Sequence, residues 1–356
     1  MDIILHPINL SVAMLQTYLQ SIMNQSHLTY DEAESVTNLM LNGSDPHQIA
    51  AFLAVLKYRG ETPTEIAGMV SALQKQATSV DLPFPALDIV GTGGDLANTV
   101  NISTGSAILS AACGIPIAKH GNRSVSSQSG SADVLEALGI EIEMTPEELL
   151  SCIQEVGIGF MFAPIYHPSL KKLAPIRKGM KIPSTFNILG PLLNPANTEY
   201  SLIGVSNEPI LELMSEVCLQ FQNTQRTFLF HGSGLDELTT LGKVVGYDIQ
   251  QGKKTRIEID PTSFGFASCK IEELKGGDSK MNAFILKKAF SGQQGAIADA
   301  LIFNAGAAVW IFGNATTLEE GIQIARQTLM EGEALRVLEK WVAFSQQLKL
   351  KRGSCN

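Results

Sequence analysis

The sequence predicts an α/β protein in two parts: a small all-helical N-terminal domain hinged to a large α/β domain whose mainly parallel central sheet is flanked by helices. Three observations carry that expectation. Helical spacing dominates the first 80 residues, the proline-bearing "DLPFPA" at 81–86 interrupts it, and short apolar runs then alternate with helical stretches.

The chain has 356 residues, 45% hydrophobic and 17% charged, enough for two domains and a sizeable core. A formal charge of −9 argues against nucleic acid as a partner, because a phosphate backbone is met by a basic face. Any phosphate must be held locally, by a few residues. The opening "MDIILHPINLSVAML" has no basic region ahead of its apolar residues, which predicts no secretory leader. "LIFNAGAAVWIFG" is too short and broken to span a bilayer, so no membrane partner is expected. Cys113, Cys152, Cys218, Cys269 and Cys355 are scattered, odd in number and without metal-ligand spacing, which fits reduced thiols in a cytoplasmic protein.

Taken in order, "SVAMLQTYLQSIM", "TYDEAESVTNLMLNG", "DPHQIAAFLAVLKYRG" and "TPTEIAGMVSALQKQA" each space their apolar residues as a helix does. Thr29 or Asp31, Asp45, and Thr62 or Thr64 suit the N-termini, and Gly43 and Gly60 stand where helices end. This gives a helical domain over 1–80, a scaffold and a possible subunit interface. Beyond the hinge, "LDIV", "IPIAKHG", "GIGFMFAP", "YSLIGV" and "RTFLFHG" read as strands, with "NISTGSAILSAACG" and "SADVLEALG" as helices between them. The proline-rich, basic segment 168–200 is expected to leave the sheet and join the helical domain. The α/β domain then comprises 81–167 and 201–356.

Ligands of such sheets collect beyond the carboxyl ends of the strands, where the glycine-rich turn, "KHGNRS" and "HGSGLDE" fall, with "NIST" at the start of the next helix. "GTGGD", Gly91–Asp95, lets backbone N–H groups approach an anionic oxygen, although such turns also occur without ligands. "NIST", Asn101–Thr104, offers an amide and hydroxyls to a phosphate or metal, and taken alone reads first as a helix cap. "KHGNRSVSS" brings Lys119 and Arg123 to neutralise a diphosphate, with Ser124, Ser126, Ser127 and Ser131 as donors. "HGSGLDE" sets Asp236 beside Glu237, a pair suited to Mg²⁺, which takes few protein oxygens and keeps water and phosphate as its other ligands. Together these pieces describe a site for a magnesium-chelated diphosphate. No nucleophile and base pair is evident, so the expected mechanism is positioning and charge stabilisation, with no catalytic residue in the covalent sense.

The set "GTGGD…NIST…KHGNRSVSS…HP…R…FNxLGPLxNP…HGxGLDE" closely resembles the anthranilate phosphoribosyltransferases, and the resemblance covers nearly the whole chain. It implies transfer of the 5-phosphoribosyl group from phosphoribosyl diphosphate to anthranilate, with Mg²⁺, in tryptophan biosynthesis. It also implies a homodimer formed through the helical domain. Carried over by position, Gly91, Gly94, Asp95 and Thr99 would bind phosphoribosyl diphosphate, with Asn101, Ile102, Ser103 and Thr104. So would Lys119, His120, Gly121, Asn122, Arg123, Ser124, Val125, Ser126 and Ser127, together with Ser131. Ser103 and Glu237 would hold one Mg²⁺ and Asp236 with Glu237 a second, two per subunit. Asn122 and Arg177 would contact anthranilate, with Gly91 close by, and His120, Tyr166 and His167 would border its path.

Leu96, Pro183, Met281 and Ala298 depart from the family pattern, where glycine, arginine, glutamate and arginine are usual. They motivate an alternative, a weakened relative that binds phosphoribosyl diphosphate as a regulator. A pyrimidine-nucleoside-phosphorylase-like enzyme shares the fold and the glycine turn. It lacks support from "KHGNR" and "LDE", and its "GRGLGHTGGT" type of segment is absent.

Overall fold

The computed structural model describes residues 10–124, 128–221 and 223–353. Four helices open it: α1 (Leu10–Met23), α2 (Tyr30–Leu41), α3 (Pro46–Arg59) and α4 (Pro63–Lys75). Thr29 with Glu32, and Thr62 with Glu65, form reciprocal caps on α2 and α4, while Asp45 accepts from the His47 and Gln48 N–H groups at the start of α3. Glu65 also reaches beyond its own helix. Its carboxylate takes the Leu28 N–H and pairs with Arg59, and both side chains are at most 2% exposed, so the buried charges satisfy each other.

The α/β part begins with β1 (Leu87–Gly91), α5 (Ile102–Ala112), β2 (Ile117–Gly121), α6 (Ser131–Leu138), α7 (Pro146–Val156) and β3 (Ile158–Phe162). Three short helices follow, α8 (Ala163–Tyr166), α9 (Ala174–Met180) and α10 (Phe186–Leu189). The chain then returns through β4 (Tyr200–Gly204), α11 (Glu208–Cys218), β5 (Arg226–Gly232), β6 (Val244–Gln250) and β7 (Lys253–Ile259). It closes with α12 (Ser279–Phe290), α13 (Ala296–Phe312), α14 (Leu318–Met330) and α15 (Glu333–Gly353).

Seven strands form one sheet in the order β3-β2-β1-β4-β5-β6-β7. β1 to β5 are parallel, as the alternation of strands and helices predicts, and β6 and β7 add an antiparallel hairpin that the strand reading missed. Its turn places Gln251 and Gly252 at φ of 51° and 73°, the mirror-image turn that matches strand twist. The chain moves outward from β1 to β3, then crosses to the other side of β1 for β4. That reversal opens a crevice beyond the carboxyl ends of β1 and β4, where α/β sheets bind ligands.

The apolar residues fall into two clusters. One contains Ile89, Ile117, Phe160, Phe228 and Leu301. The other joins α1–α4 to Leu173, Phe186, Leu189 and Leu192, and continues onto Ile203 and Leu229 of the sheet. Polar contacts reinforce the second: Thr185 Oγ1 donates to Glu61 Oε1 at 2.8 Å, and Gln74 Nε2 to the Leu192 carbonyl at 3.1 Å. The segment after β3 therefore lies against the helices; it leaves the sheet at the carboxyl end of β3 and returns at the amino end of β4.

Candidate active site

Three strand ends and one helix start meet at the switch point. Gly91 and Gly204 are neighbours across β1 and β4, and the Asp236 backbone lies over both. A Cβ on Gly204 would stand 1.8 Å from the Asp236 carbonyl oxygen, one on Gly91 2.2 Å from Asp236 Oδ2, and one on Gly232 2.2 Å from the Glu237 carbonyl oxygen. Only glycine admits this approach. The turn "HGSGLDE" is thereby pressed down on the strand ends and its two acids face the crevice.

Backbone N–H groups orient both acids. Gly93 donates to Asp236 Oδ2 at 2.6 Å, and Ser103, in the first turn of α5, donates to Glu237 Oε1 at 3.0 Å. The glycine turn, "NIST" and "LDE" thus touch one another. Lys119 joins them from β2, 2% exposed, its ammonium 2.5 Å from the Ile89 carbonyl and attracted by Asp88 and Glu237. Burial lowers the affinity of this ammonium for its proton, against the pull of those carboxylates.

The electrostatics are those of a site short of positive charge. Burial, then the Asp95 carboxylate, pushes the Asp236 carboxyl up to about 7. Burial, then Asp236, raises Glu237 well above the usual carboxylate range. Two adjacent buried acids that resist ionisation fit a divalent cation, which would restore their charge on binding. The Ser103 hydroxyl has no hydrogen-bond partner among the described residues and is available to the same ion. No three His, Cys, Asp or Glu side chains converge into a preformed metal cage among the described residues. Mg²⁺ does not require one, since it commonly binds through one or two carboxylates and substrate phosphate.

Other candidates take different positions. Asn101 was expected to cap α5, yet its side chain makes no cap bond. Its Nδ2 donates to the Ser129 carbonyl at 3.1 Å and its Oδ1 accepts from Asn282 Nδ2 at 2.9 Å. This amide ties the glycine-framed loop to α12. Ile102 and Thr104 are buried on α5 behind Ser103, and Thr99 pairs with Lys275 in an isolated bridge. Gly94, Asp95 and Gly121 line the strand-end turns. Arg123 turns to α6, bonding Asp133 at 3.0 Å and Glu136 at 2.5 Å, with its guanidinium 5.3 Å from the Phe162 ring centre. Holding a diphosphate would require it to leave those acids. Asn122 and Ser131 are joined by a bond from Ser131 Oγ to the Asn122 carbonyl at 3.1 Å. Ser124 donates its N–H to Asp133, and Val125, Ser126 and Ser127 lie outside the described residues.

In the segment that packs on the helical domain, Arg177 in α9 is half-buried with its guanidinium 5.3 Å from the Phe186 ring centre. It makes no side-chain ion pair or hydrogen bond among the described residues, and burial makes its charge costlier to keep. A half-buried guanidinium without an ion-pair partner among the described residues can pair bidentately with a carboxylate. His120 is 6% exposed, and burial, then His167, pushes its imidazole down to about 3, so it is neutral. The His120 and His167 rings are 5.2 Å apart. Tyr166 instead points into the core, its hydroxyl donating to the Met144 carbonyl at 2.9 Å.

Sequence reading missed two members of this network, Asp88 and Asn194. Leu96, at φ 58°, is 79% exposed in the glycine turn, Met281 is 52% exposed on α12, Pro183 is exposed, and Ala298 is buried on α13. A cavity of about 500 Å³ beside α4 and α11 shares only Asn194 with this network among its lining residues and has no charged lining, which does not suit a diphosphate.

Comparison with known proteins agrees with this geometry. Residues 16–77 match the helical bundle domain of a glycosyl transferase family, and residues 84–335 match its a/b domain. The chain is 90% identical over 343 residues to an anthranilate phosphoribosyltransferase of Chlamydia caviae, covering 96% of this chain and 100% of that protein. A crystal structure of the anthranilate phosphoribosyltransferase of Thermus thermophilus superposes with a TM-score of 0.87 at 37% identity, covering 92% of this chain and 99% of that one. The Saccharomyces cerevisiae enzyme in complex with PRPP and Mg superposes with a TM-score of 0.87 at 26% identity, over 94% of this chain and 98% of that one.

Proposed function

The chain belongs to the anthranilate phosphoribosyltransferase family, and from that premise we propose that it transfers the 5-phosphoribosyl group of phosphoribosyl diphosphate to the amine of anthranilate. The observation that carries this reading is the contact of the glycine turn, the α5 N-terminus and the Asp236–Glu237 pair at one switch point, with buried Lys119 beside them.

The anthranilate nitrogen forms its bond to C1 of the ribose as the C1–O bond to diphosphate breaks. The bonding pair leaves with the diphosphate, and the amine gives up one proton to solvent. An aromatic amine is neutral at pH 7, so orientation matters more than a strong base. Gly91, Gly94, Asp95, Thr99, Asn101–Thr104, Lys119–Ser127 and Ser131 form the donor site in this reading. Backbone N–H groups of the turn meet the anionic oxygens, and Lys119 sets positive charge against the leaving group. Arg177 and Asn122 orient anthranilate, the guanidinium through its carboxylate. Ser103, Asp236 and Glu237 would hold Mg²⁺, two ions per subunit in this reading, and the bound metal would supply charge neutralisation for the departing diphosphate.

The same reading divides the chain into a helical domain, 1–80 with 168–200, and an α/β domain, 81–167 with 201–356. It makes the protein a cytoplasmic homodimer joined through the helical domain. Exposed Met14, Met23 and Tyr58 on α1 and α3 support that face, and the four described cysteines are unpaired. No helix among the described residues is long and apolar enough to cross a membrane.

The test follows anthranilate fluorescence with the purified protein, phosphoribosyl diphosphate and Mg²⁺. Loss of fluorescence that requires both donor and metal is the expected result. No loss, with calorimetry still reporting Mg²⁺-dependent donor binding, would overturn the transferase in favour of a regulatory binder.

A further inference from the structure

We propose that Asp88 is a positioning residue for the transfer, locking the donor strands and the returning segment into one register so that the two walls of the cleft meet correctly. The inference rests on the transferase reading and adds to it a residue that contacts neither substrate. Asp88 is the second residue of β1, 1% exposed. Its Oδ1 accepts the His120 N–H at 3.2 Å, and its Oδ2 accepts Asn194 Nδ2 at 2.7 Å. One carboxylate therefore joins β1, the end of β2 and residue 194, which closes the segment carrying Arg177.

The backbone explains why a side chain is needed. β1 pairs with β4 at five positions and β2 with β3 at five, yet β1 and β2 pair only at Leu87–Ile117. Beyond that pair the strands part, and the Asp88 carboxylate takes the N–H that a ladder carbonyl would otherwise accept. Lys119 and His120 occupy the parted stretch. Burial raises Asp88 to about 6, and the Lys119 ammonium is the largest force opposing that rise, with the Asn194 amide next. Lys119 is attracted to Glu237 as well, so the position of Asp88 is felt where the diphosphate would sit.

Asn194 is committed on every side. Its Nδ2 also donates to the Ala118 carbonyl at 2.8 Å, and its Oδ1 accepts the Ala196 N–H at 2.9 Å. It cannot turn over to suit an altered partner. In Asp88→Asn an amide donor at the Oδ2 position would oppose the Asn194 donor, and the opposite rotamer would oppose the His120 N–H. Either choice leaves one buried N–H group unpaired.

The experiment uses the full chain as Asp88→Asn and Asn194→Ala, with calorimetry of Mg²⁺–phosphoribosyl diphosphate binding beside steady-state kinetics. Wild-type turnover is measured first, so failure of the transferase reading is recognised separately. Asp88→Asn is expected to lower kcat by about 10- to 100-fold, the cost of an ångström-scale misplacement, and to weaken donor binding by calorimetry. Asn194→Ala, which frees the returning segment but leaves the Asp88–His120 bond, is expected to raise the KM for anthranilate while donor binding stays within about twofold. A purely structural role would lower the melting temperature of both folded variants with kcat, both KM values and donor binding unchanged, and that result overturns the proposal. Should Asp88→Asn fail to fold, Asn194→Ala decides alone: an unchanged anthranilate KM overturns the proposal.

Discussion

The two walls of the proposed cleft are built in opposite ways. The donor wall is made of strand ends packed so tightly that Gly91, Gly204 and Gly232 have no room for a Cβ. Its acids are each held by a backbone N–H before any ligand arrives. The wall proposed for the acceptor is made of four- to seven-residue helices, and Arg177 on it makes no side-chain ion pair or hydrogen bond among the described residues. The contrast follows from what each wall must do. A departing diphosphate develops charge that only preorganised groups stabilise without reorganisation, whereas a planar benzoate needs one well-placed fork of donors.

If the donor wall is preorganised at a cost in stability, neutralising one of its acids should separate function from folding. Glu237→Gln is expected to reduce turnover by about 10²- to 10³-fold, the size of losing one preorganised electrostatic group, and to raise the Mg²⁺ concentration needed. Burial and Asp236 hold Glu237 well above its ordinary range, so the metal-free variant should unfold no more easily than the parent, or less easily. Turnover against Mg²⁺, together with urea unfolding in chelator, checks both halves. A variant that keeps its rate breaks the assignment of Glu237 to the metal, and one that loses rate and stability together breaks the contrast between the walls.

Arg177→Ala probes the other wall and should have a smaller effect. A charge-assisted hydrogen bond contributes about 1.5–3 kcal/mol, so the KM for anthranilate should rise by roughly 10- to 100-fold while that for the donor changes little. With no partner to strand, stability should shift by less than about 0.5 kcal/mol. Equal effects on the two KM values would mean that the walls are not separable.

The same contrast marks what the sequence made legible. The glycine turn, the capping residues Asp45 and Thr62 and the adjacency of Asp236 and Glu237 are readable because each is chemistry between near neighbours, and the parallel strands are readable from their alternation with helices. Asp88 was not. It stands as one acid inside an apolar run, and its partner Asn194 is 106 residues away. Asn101 looked like a cap because local geometry favours one, but Asn282, 181 residues on, takes its amide instead. Arg123 looked free for a diphosphate, while the acids of α6 compete for it. The hairpin of β6 and β7 is antiparallel and joined at Gln251–Gly252, so strand–helix alternation carries no trace of it.

A pH-dependent effect is expected at His120, and its sign is fixed by linkage. The buried imidazole is held at about 3 against an ordinary 6.5, so below pH 6.5 the unfolded chain binds the proton that the folded chain refuses. Its contribution to stability is complete above pH 6.5 and is lost as pH falls toward 3, by at most about 1.4 kcal/mol per unit. Asp88, raised from 3.8 to about 6, acts in the opposite sense: the folded chain keeps its proton longer, so stability falls as pH rises between about 4 and 6. The two slopes therefore oppose each other at positions joined by the bond from the His120 backbone N–H to Asp88. In His120→Gln only the Asp88 slope remains from this pair. Urea midpoints between pH 4.5 and 7 should then fall with rising pH relative to those of the parent protein. Parallel curves for parent and variant would show that this imidazole accepts a proton in the folded chain, and that its surroundings are wetter than its burial implies.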